Sequence, residues 1–403
     1  MRKTVPVGEL KLGMYVAELD RPWTDTPFKF QGFVLENQEQ IEILRKHCKA
    51  VFVDPDRSEV LAKLPDSTLA KSAVDLSRTK VTKYAEQAPI EKEFANAVRQ
   101  HAASTAALND AVLAPLKAGE ALDARRVTEA VNGLTESVLR NPDAMLLFTQ
   151  LKQKGDYTQS HALDSSVFMT VFGRFLEMSP QDIALLGHLG LLQDVGKVRV
   201  PTGLIEKRER LSEEELGALR KHVEHSADIL RETSGLPSTL PELALLHHER
   251  HDGSGYPKKL KGKEIGLIGS IAAIVDTFAA LTSRRPYADA LAPSTALSIL
   301  YKHRATLLDG FLVEQFIRCI GIFPLGSIVE LNSGETGIVI AQNLAKRLQP
   351  RIMIVRDAAG AELKPQKLLD LSREPKTAAG EPYRIRKTLE YGRVPVQAEA
   401  LFS

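Results

Sequence analysis

"PELALLHHERHDGSGYP", Pro241 to Pro257, sets the reading of the whole chain. Leu243, Leu245 and Leu246 read as an apolar helical run, and His247 and His248 follow it directly into a glycine-rich turn. Glu249, Arg250 and Asp252 lie in the same short stretch. Imidazole nitrogens and carboxylate oxygens are the ligand set that suits zinc, iron, manganese or nickel.

Working outward, residues 156–320 are almost wholly helical in pattern, punctuated by Pro/Gly clusters at 200–203, 235–241, 253–257 and 286. They hold the other candidates: His161, Asp194, His222 and Asp276. In "GLLQDVGKVRVP", Gly190 to Pro201, an apolar helix end delivers an acid, Asp194, and a base, Lys197. The residue beside the acid is Gln193, an amide that does not ionise. His222 falls in the helical "EEELGALRKHVEHSADIL". Asp276 interrupts "GLIGSIAAIVDTFAAL", and a carboxylate inside such a run must be paired, hydrogen-bonded or metal-bound. Any one histidine on a helix is more often structural than a ligand. Here four helices each carry a histidine or acid where the pattern favours a hydrophobe, and convergence on one metal site accounts for all of them. Lys197, Arg250, Arg284 and Arg285 lie near the same elements and suit phosphate oxygens.

The flanks differ in pattern. Residues 1–60 predict a small α+β domain: "MYVAEL" and "KAVFVDP" read as strands and "NQEQIEILRKHC" as a helix. Residues 61–85 are polar and read as a linker. Residues 86–155 predict a helical connector, beginning with one long helix and continuing with one or two more from an Asp123 cap. Residues 321–403 predict a β-rich module, with a hairpin at "GSIVELNSGETGIVIAQ" and less defined order beyond 372. The expectation is a multidomain, mainly α chain.

With 403 residues, 43% hydrophobic and 26% charged, there is ample material for a core. A net charge of +2 offers no global field for a nucleic acid polymer or an anionic membrane, so an anionic ligand must be held locally. Cys48 and Cys319 form no disulfide framework. The start "MRKTVPVGELKLGMYV" has no signal-peptide pattern, and no apolar run reads as a membrane span. These features predict a soluble, cytoplasmic protein.

"HHERHDGSGYP", "LLQDVGKVRVP" and "VDTFAALTSRRPY" together resemble the HD-GYP branch of the HD-domain phosphohydrolases, in order and interval, over about residues 156–310. The first 60 residues resemble a domain of unknown function that often precedes HD-GYP, and the tail resembles an extension that often follows it. The resemblance implies an all-helical domain with divalent metals, often iron or manganese, that cleaves cyclic di-GMP to a linear dinucleotide or GMP. It implies two or three metals, with His161, Asp194, His222, His247, His248 and Asp276 as the metal shell and Asp194 bridging; given the departures below, one or two ions are expected here. It implies that Lys197 and Arg285 contact the scissile phosphate, and that Gly253, Gly255, Tyr256 and Pro257 form the loop that shapes the nucleotide pocket. Diguanylate cyclases or other signalling proteins are the partners it suggests, and a homodimer is an assembly it allows.

The chain departs from the family pattern at several positions. Gln193 replaces the histidine of the "HD" pair, so one ligand to one metal is changed. Tyr157 stands where three-metal members have glutamate. Ala288 replaces a basic residue, and Ser270 an arginine. The Gln193 carbonyl oxygen can itself coordinate a hard cation such as manganese or magnesium but suits iron poorly; an added ligand would come from His251 rather than His188, which lies five residues before Gln193 on another helix face. Three functions stay open: a slowed phosphodiesterase, a sensor that binds the nucleotide without cleaving it, and an interaction protein. The surviving ligands favour the first two.

Overall fold

The computed structural model describes residues 3–12, 14–20, 33–35, 38–53, 82, 84, 88–152, 157–207, 209–283, 290–304, 306–343, 346 and 348–389. The aromatic stretch 22–30, most of the linker read at 61–85, and residues 390–403 lie outside them. Residues 1–72 and 73–403 form two compact units.

In the first unit, strands β1 (Lys3–Pro6), β2 (Tyr15–Leu19), β3 (Phe33–Val34) and β4 (Ala50–Val53) form an antiparallel sheet of order β1-β4-β2-β3. Helix α1 (Gln38–His47) contributes Ile41 and Leu44 to a core shared with Val16, Leu35 and Val51. Cys48 is buried in that core as a small hydrophobe.

The second unit begins with α2 (Ile90–Ala107), which runs through a π-helical turn, Leu108–Leu113, into a last turn at Ala114–Lys117. The long helix is therefore continuous but bulged. Asp123 caps α3 (Ala124–Arg140), its carboxylate accepting from the backbone N–H groups of Arg125 and Arg126. Asn141 then ends α3 and caps α4 (Pro142–Leu151), with proline at the first helical position. The helices α5 (Tyr157–Phe175), α6 (Pro180–Leu192), α7 (Glu213–Arg220), α8 (His222–Glu232), α9 (Leu240–Ala244), α10 (Gly266–Thr282), α11 (Pro293–His303) and α12 (Gly310–Ile320) come next along the chain. A five-stranded antiparallel sheet closes the unit: β5 (Ile328–Leu331), β6 (Thr336–Ala341), β7 (Arg351–Arg356), β8 (Glu362–Asp370) and β9 (Ile385–Thr388), in order β8-β7-β6-β5-β9. The Asn-Ser-Gly-Glu hairpin links β5 to β6 as expected. Order extends past residue 372, because β9 completes the β5 edge. One continuous core runs from Ile90 to Leu371.

Two features of this unit position the helices that carry the candidate ligands. The span Gly262–Thr282 has the length and hydropathy, 1.8, of a membrane crossing, which corrects the expectation that no apolar run does. Its apolarity has another cause: 67% of its most apolar 18-residue stretch is buried inside the fold, and Phe278 meets Phe168 of α5 and Phe316 of α12 edge-to-face at 5.1 and 5.2 Å. The second feature is the α5–α6 crossing. A Cβ at Gly190 would lie 2.5 Å from the backbone nitrogen of Ser166, so only glycine lets α6 approach α5 this closely.

Gly190→Ala is expected to lower stability by about 1–3 kcal/mol or more, since backbone cannot yield as a side chain does. Chemical denaturation measures it, and an unchanged midpoint would contradict the close crossing.

A buried polar contact ties α2 to α5. Lys152 Nζ lies 2.7 Å from His101 Nε2 and 3.3 Å from Asp164 Oδ1, one turn along α5 from His161. Burial, with the Lys152 ammonium second, pulls His101 down to about 3. The unfolded chain therefore takes up a proton near pH 6.5 that the fold refuses. Stability from neutral His101 is complete above about pH 6.5 and declines toward pH 3, by up to about 1.4 kcal/mol per pH unit. His101→Gln is expected to flatten that part of the stability–pH curve, read from urea midpoints between pH 7 and 4; parallel curves would contradict it.

Candidate metal centre

Five pieces of chain bring the candidate ligands together. His161 comes from α5, Asp194 from the turn after α6, His222 from the first residue of α8, His247 and His248 from the turn after α9, and Asp276 from α10. Helix α6 ends at Gln193, and a 3₁₀ turn, Val195–Arg199, succeeds it. Asp194 precedes that turn without capping it, which leaves its carboxylate for the site. The turn is fastened to α8: Gly196 N donates to Ser226 Oγ at 2.8 Å, and a Cβ at Gly196 would collide with the carbonyl of His222.

The two oxygens of Asp194 face different groups. Oδ1 lies 3.2 Å from His222 Nε2 and 3.6 Å from His247 Nε2. Oδ2 lies 3.4 Å from His161 Nε2 and 2.8 Å from Lys197 Nζ. Asp276 completes the ring, with Oδ1 at 3.0 Å from His161 Nε2 and Oδ2 at 3.6 Å from His248 Nδ1. Two overlapping clusters result, Asp194–His222–His247–His248 and His161–Asp194–Asp276, each with its ligand atoms within 4.8 Å of one another. All six predicted metal-shell residues thus meet, and Asp194 belongs to both clusters.

The histidine tautomers decide what can sit between these groups. His222 Nδ1 lies 2.7 Å from the Leu219 carbonyl, and His247 Nδ1 2.8 Å from the Ala244 carbonyl. A carbonyl only accepts, so each Nδ1 carries its hydrogen and, in the neutral ring, each Nε2 presents a lone pair. Both lone pairs point at the Asp194 carboxylate, and His222 Nε2, His247 Nε2 and Asp194 Oδ1 are buried atoms that make no hydrogen bond among the described residues. Lone pairs facing an ionised oxygen in a buried site repel unless a cation lies between them. Backbone-tethered imidazoles of this kind are the usual support of metal ligands.

The charges agree. Burial opposes ionisation of Asp194, but Lys197 first and then His161 outweigh it and hold the carboxyl well below its ordinary range. Burial likewise opposes ionisation of Asp276, and the contact with His161 reverses it. Burial, then neighbouring His247, keeps His248 far below the ordinary histidine value and hence neutral.

A cavity of about 620 Å³ opens above the centre, with His161, His222, His248 and Asp276 at its floor and Lys197 and Tyr256 on its walls. The Tyr256 ring stacks on His248 at 4.8 Å, and the Arg220 guanidinium lies over Tyr256 at 5.0 Å. Gly253, Gly255 and Pro257 shape the loop's backbone rather than the cavity wall; a Cβ at Gly255 would strike the Arg250 nitrogen.

Other candidates take structural parts. Glu249 is buried, and its carboxylate accepts from the backbone of Lys258 at 2.7 Å and Leu260 at 2.9 Å, bracing the loop. Arg250 donates to the carbonyls of His247 and Glu249 instead of facing the cavity. Asp252 closes a turn on Ser254 N. His188 is held by the Ala184 carbonyl and Thr128, away from the centre. His251 joins neither cluster. Arg284, Arg285, Ala288 and the side chain of Tyr157 lie outside the described residues. Arg220 escapes a sequence reading, since a helical arginine two residues before a ligand looks like a surface charge.

Glu249→Ala leaves two buried N–H groups without acceptors and is expected to cost about 2–6 kcal/mol, at about 1–3 kcal/mol each. Urea unfolding measures it, and a change below about 1 kcal/mol would show that the loop does not hang on this carboxylate.

Comparison with known proteins gives a consistent assignment. The family model "HD domain" matches residues 145–312, a domain of unknown function (DUF3391) matches 2–141, and a KOW domain associated with the HD domain matches 328–378. A cyclic di-GMP phosphodiesterase of Pseudomonas aeruginosa is 31% identical over 390 residues, 96% of this chain and 91% of that protein. A 3'3'-cGAMP-specific phosphodiesterase of Vibrio cholerae is 32% identical over 171 residues, 42% of this chain and 37% of that protein. A solved HDG"Y"P protein from Bdellovibrio bacteriovorus aligns over 78% of this chain and 98% of its own, at 13% identity and a TM-score of 0.45.

Proposed function

The chain belongs to the HD-GYP family of HD-domain proteins, and from that premise we propose that it is a metal-dependent phosphodiesterase that opens cyclic di-GMP by hydrolysis. The observation that carries this reading is the pair of tethered imidazoles, His222 and His247, whose free nitrogens converge on the Asp194 carboxylate. The choice of cyclic di-GMP over a mixed cyclic dinucleotide rests on the relative that spans 91% of its own length against this chain.

His161, Asp194, His222, His247, His248 and Asp276 hold the metal, one or two ions of iron or manganese. When bound, a divalent metal supplies Lewis acidity, neutralising phosphate charge and making water a better nucleophile at neutral pH. Asp194 joins the two halves through its two oxygens. Lys197, beside Asp194 and on the cavity wall, offers an ammonium to a nonbridging oxygen of the scissile phosphate. Arg285 is assigned the same task from sequence. Tyr256 gives a base or ribose a flat face, and Arg220 above it adds a cation. The centre is buried while the cavity is open, so the nucleotide enters without unfolding the ligand shell.

Gln193 gives the site one imidazole fewer than the family pattern, and in iron the enzyme is expected to be slow. Gln193→His should raise turnover of the iron-loaded protein at least about tenfold, which requires about 1.4 kcal/mol of added transition-state stabilisation. The same residue favours a second reading, a sensor that binds cyclic di-GMP without cleaving it. Metal analysis and a turnover assay on the full chain, in iron and in manganese, decide between them. The expected result is metal-dependent hydrolysis that disappears, together with the metal, in the His247→Ala/His248→Ala double variant. Metal-loaded wild type that binds the nucleotide and leaves it intact would establish the sensor instead, and failure to bind would defeat both.

A further inference from the structure

Gln193 stands where the donor chemistry of the centre divides. Around Asp194 Oδ1 the other donors are imidazoles, from His222 and His247, and His248 belongs to the same cluster. Around Oδ2 they are one imidazole, His161, and one further carboxylate, Asp276. Gln193 is 1% exposed and lies against this second group, its Nε2 donating to Asp276 Oδ1 at 3.4 Å. Turning the amide end for end would set two oxygens against each other, so the ionised Asp276 fixes which end is which. The other end, Oε1, is buried and accepts no hydrogen bond among the described residues. Such an atom costs about 1–3 kcal/mol when nothing compensates it. Its fellow orphans include Asp194 Oδ1, His222 Nε2 and His247 Nε2, all atoms of the same centre.

We propose that Gln193 Oε1 is a metal ligand, that it completes an oxygen-rich half-site with His161, Asp194 and Asp276, and that this half-site takes a hard cation, manganese or magnesium. The proposal rests on the metal-centre reading and assigns the two halves different metals. An amide oxygen is a hard, neutral donor; with two carboxylates it makes three oxygens to one nitrogen. The half around His222, His247 and His248 is nitrogen-rich and suits iron or zinc. The amide never titrates, so this ligand is available at any pH, unlike an imidazole that must first lose a proton. Gln193 is then a working part with altered selectivity, and the slow iron enzyme and a competent manganese site are two consequences of one substitution.

The test uses the full chain, stripped with a chelator and titrated with manganese and, separately, with zinc. Calorimetry and the paramagnetic resonance of bound manganese give number and affinity, and neither requires turnover. Wild type is expected to bind about two ions per chain. Gln193→Leu, which keeps the bulk and loses the oxygen, should weaken one of them about tenfold or more and leave the other. Gln193→His should retain two sites and shift one toward zinc over manganese by about tenfold or more. Gln193→Glu keeps an oxygen and adds charge. It should bind manganese at least as tightly as wild type and show the larger rise in melting temperature on loading. That rise keeps the proposal testable if the leucine variant folds poorly. Two unperturbed manganese sites in Gln193→Leu, or manganese binding in Gln193→Glu no better than in Gln193→Leu, would overturn the proposal and leave the phosphodiesterase reading standing. A wild type that binds no metal at all would overturn both.

Discussion

The ionised carboxylate of Asp194 is the group around which this fold is organised. It is 5% exposed, and taking such a charge out of water costs several kcal/mol unless partners repay it. Here the Lys197 ammonium lies against it, and imidazoles from three separate elements are gathered around the same carboxylate. Each must arrive at the right place, so the ends of α6 and α9, the start of α8 and the second turn of α5 are all constrained by one side chain. The glycines at 190 and 196 serve that constraint by letting α6 cross α5 closely and the Asp194 turn press on α8.

Convergence alone would leave the lone pairs of His222 and His247 facing a negative oxygen. Their carbonyl tethers forbid the tautomer that would relieve this by donating to Asp194 from a neutral ring. A cation between these groups would remove that repulsion, which would link metal loading to stability as well as to chemistry. Glu249 contributes from behind, since the loop it braces carries Tyr256 against His248 and so forms one wall of the cavity. A mutation in that brace would act on the site through position rather than through any contact with substrate.

Much of this is legible in the sequence. Histidines and acids placed where helices want hydrophobes give the ligand set, and Asp123 and the Asn-Ser-Gly-Glu turn announce a helix start and a hairpin through local chemistry. What stays hidden depends on contacts between distant residues. Nothing local distinguishes Glu249 the brace from Glu249 the ligand, because its partners, Lys258 and Leu260, offer only backbone N–H groups. Arg220 gains a role only when α7 is laid beside the Tyr256 loop. Strand β9 lacks strong alternation and is ordered by pairing with β5. In α10 the single acid draws the eye, and the length of the apolar run is masked because Asp276 breaks it. Gln193 is visible as a departure, but the orientation of its amide depends on the position of Asp276.

The most direct test of the account is where cations settle in a crystal of the full chain. Anomalous diffraction from manganese-soaked crystals should give two peaks flanking the Asp194 carboxylate, one in contact with His222 and His247 and the other with His161, Asp276 and the Gln193 carbonyl oxygen. A single peak on the histidine-rich side would remove the second half-site. The absence of any peak beside Asp194, in a protein with these residues folded as described, would contradict the claim that a cation is what this constellation is built to hold.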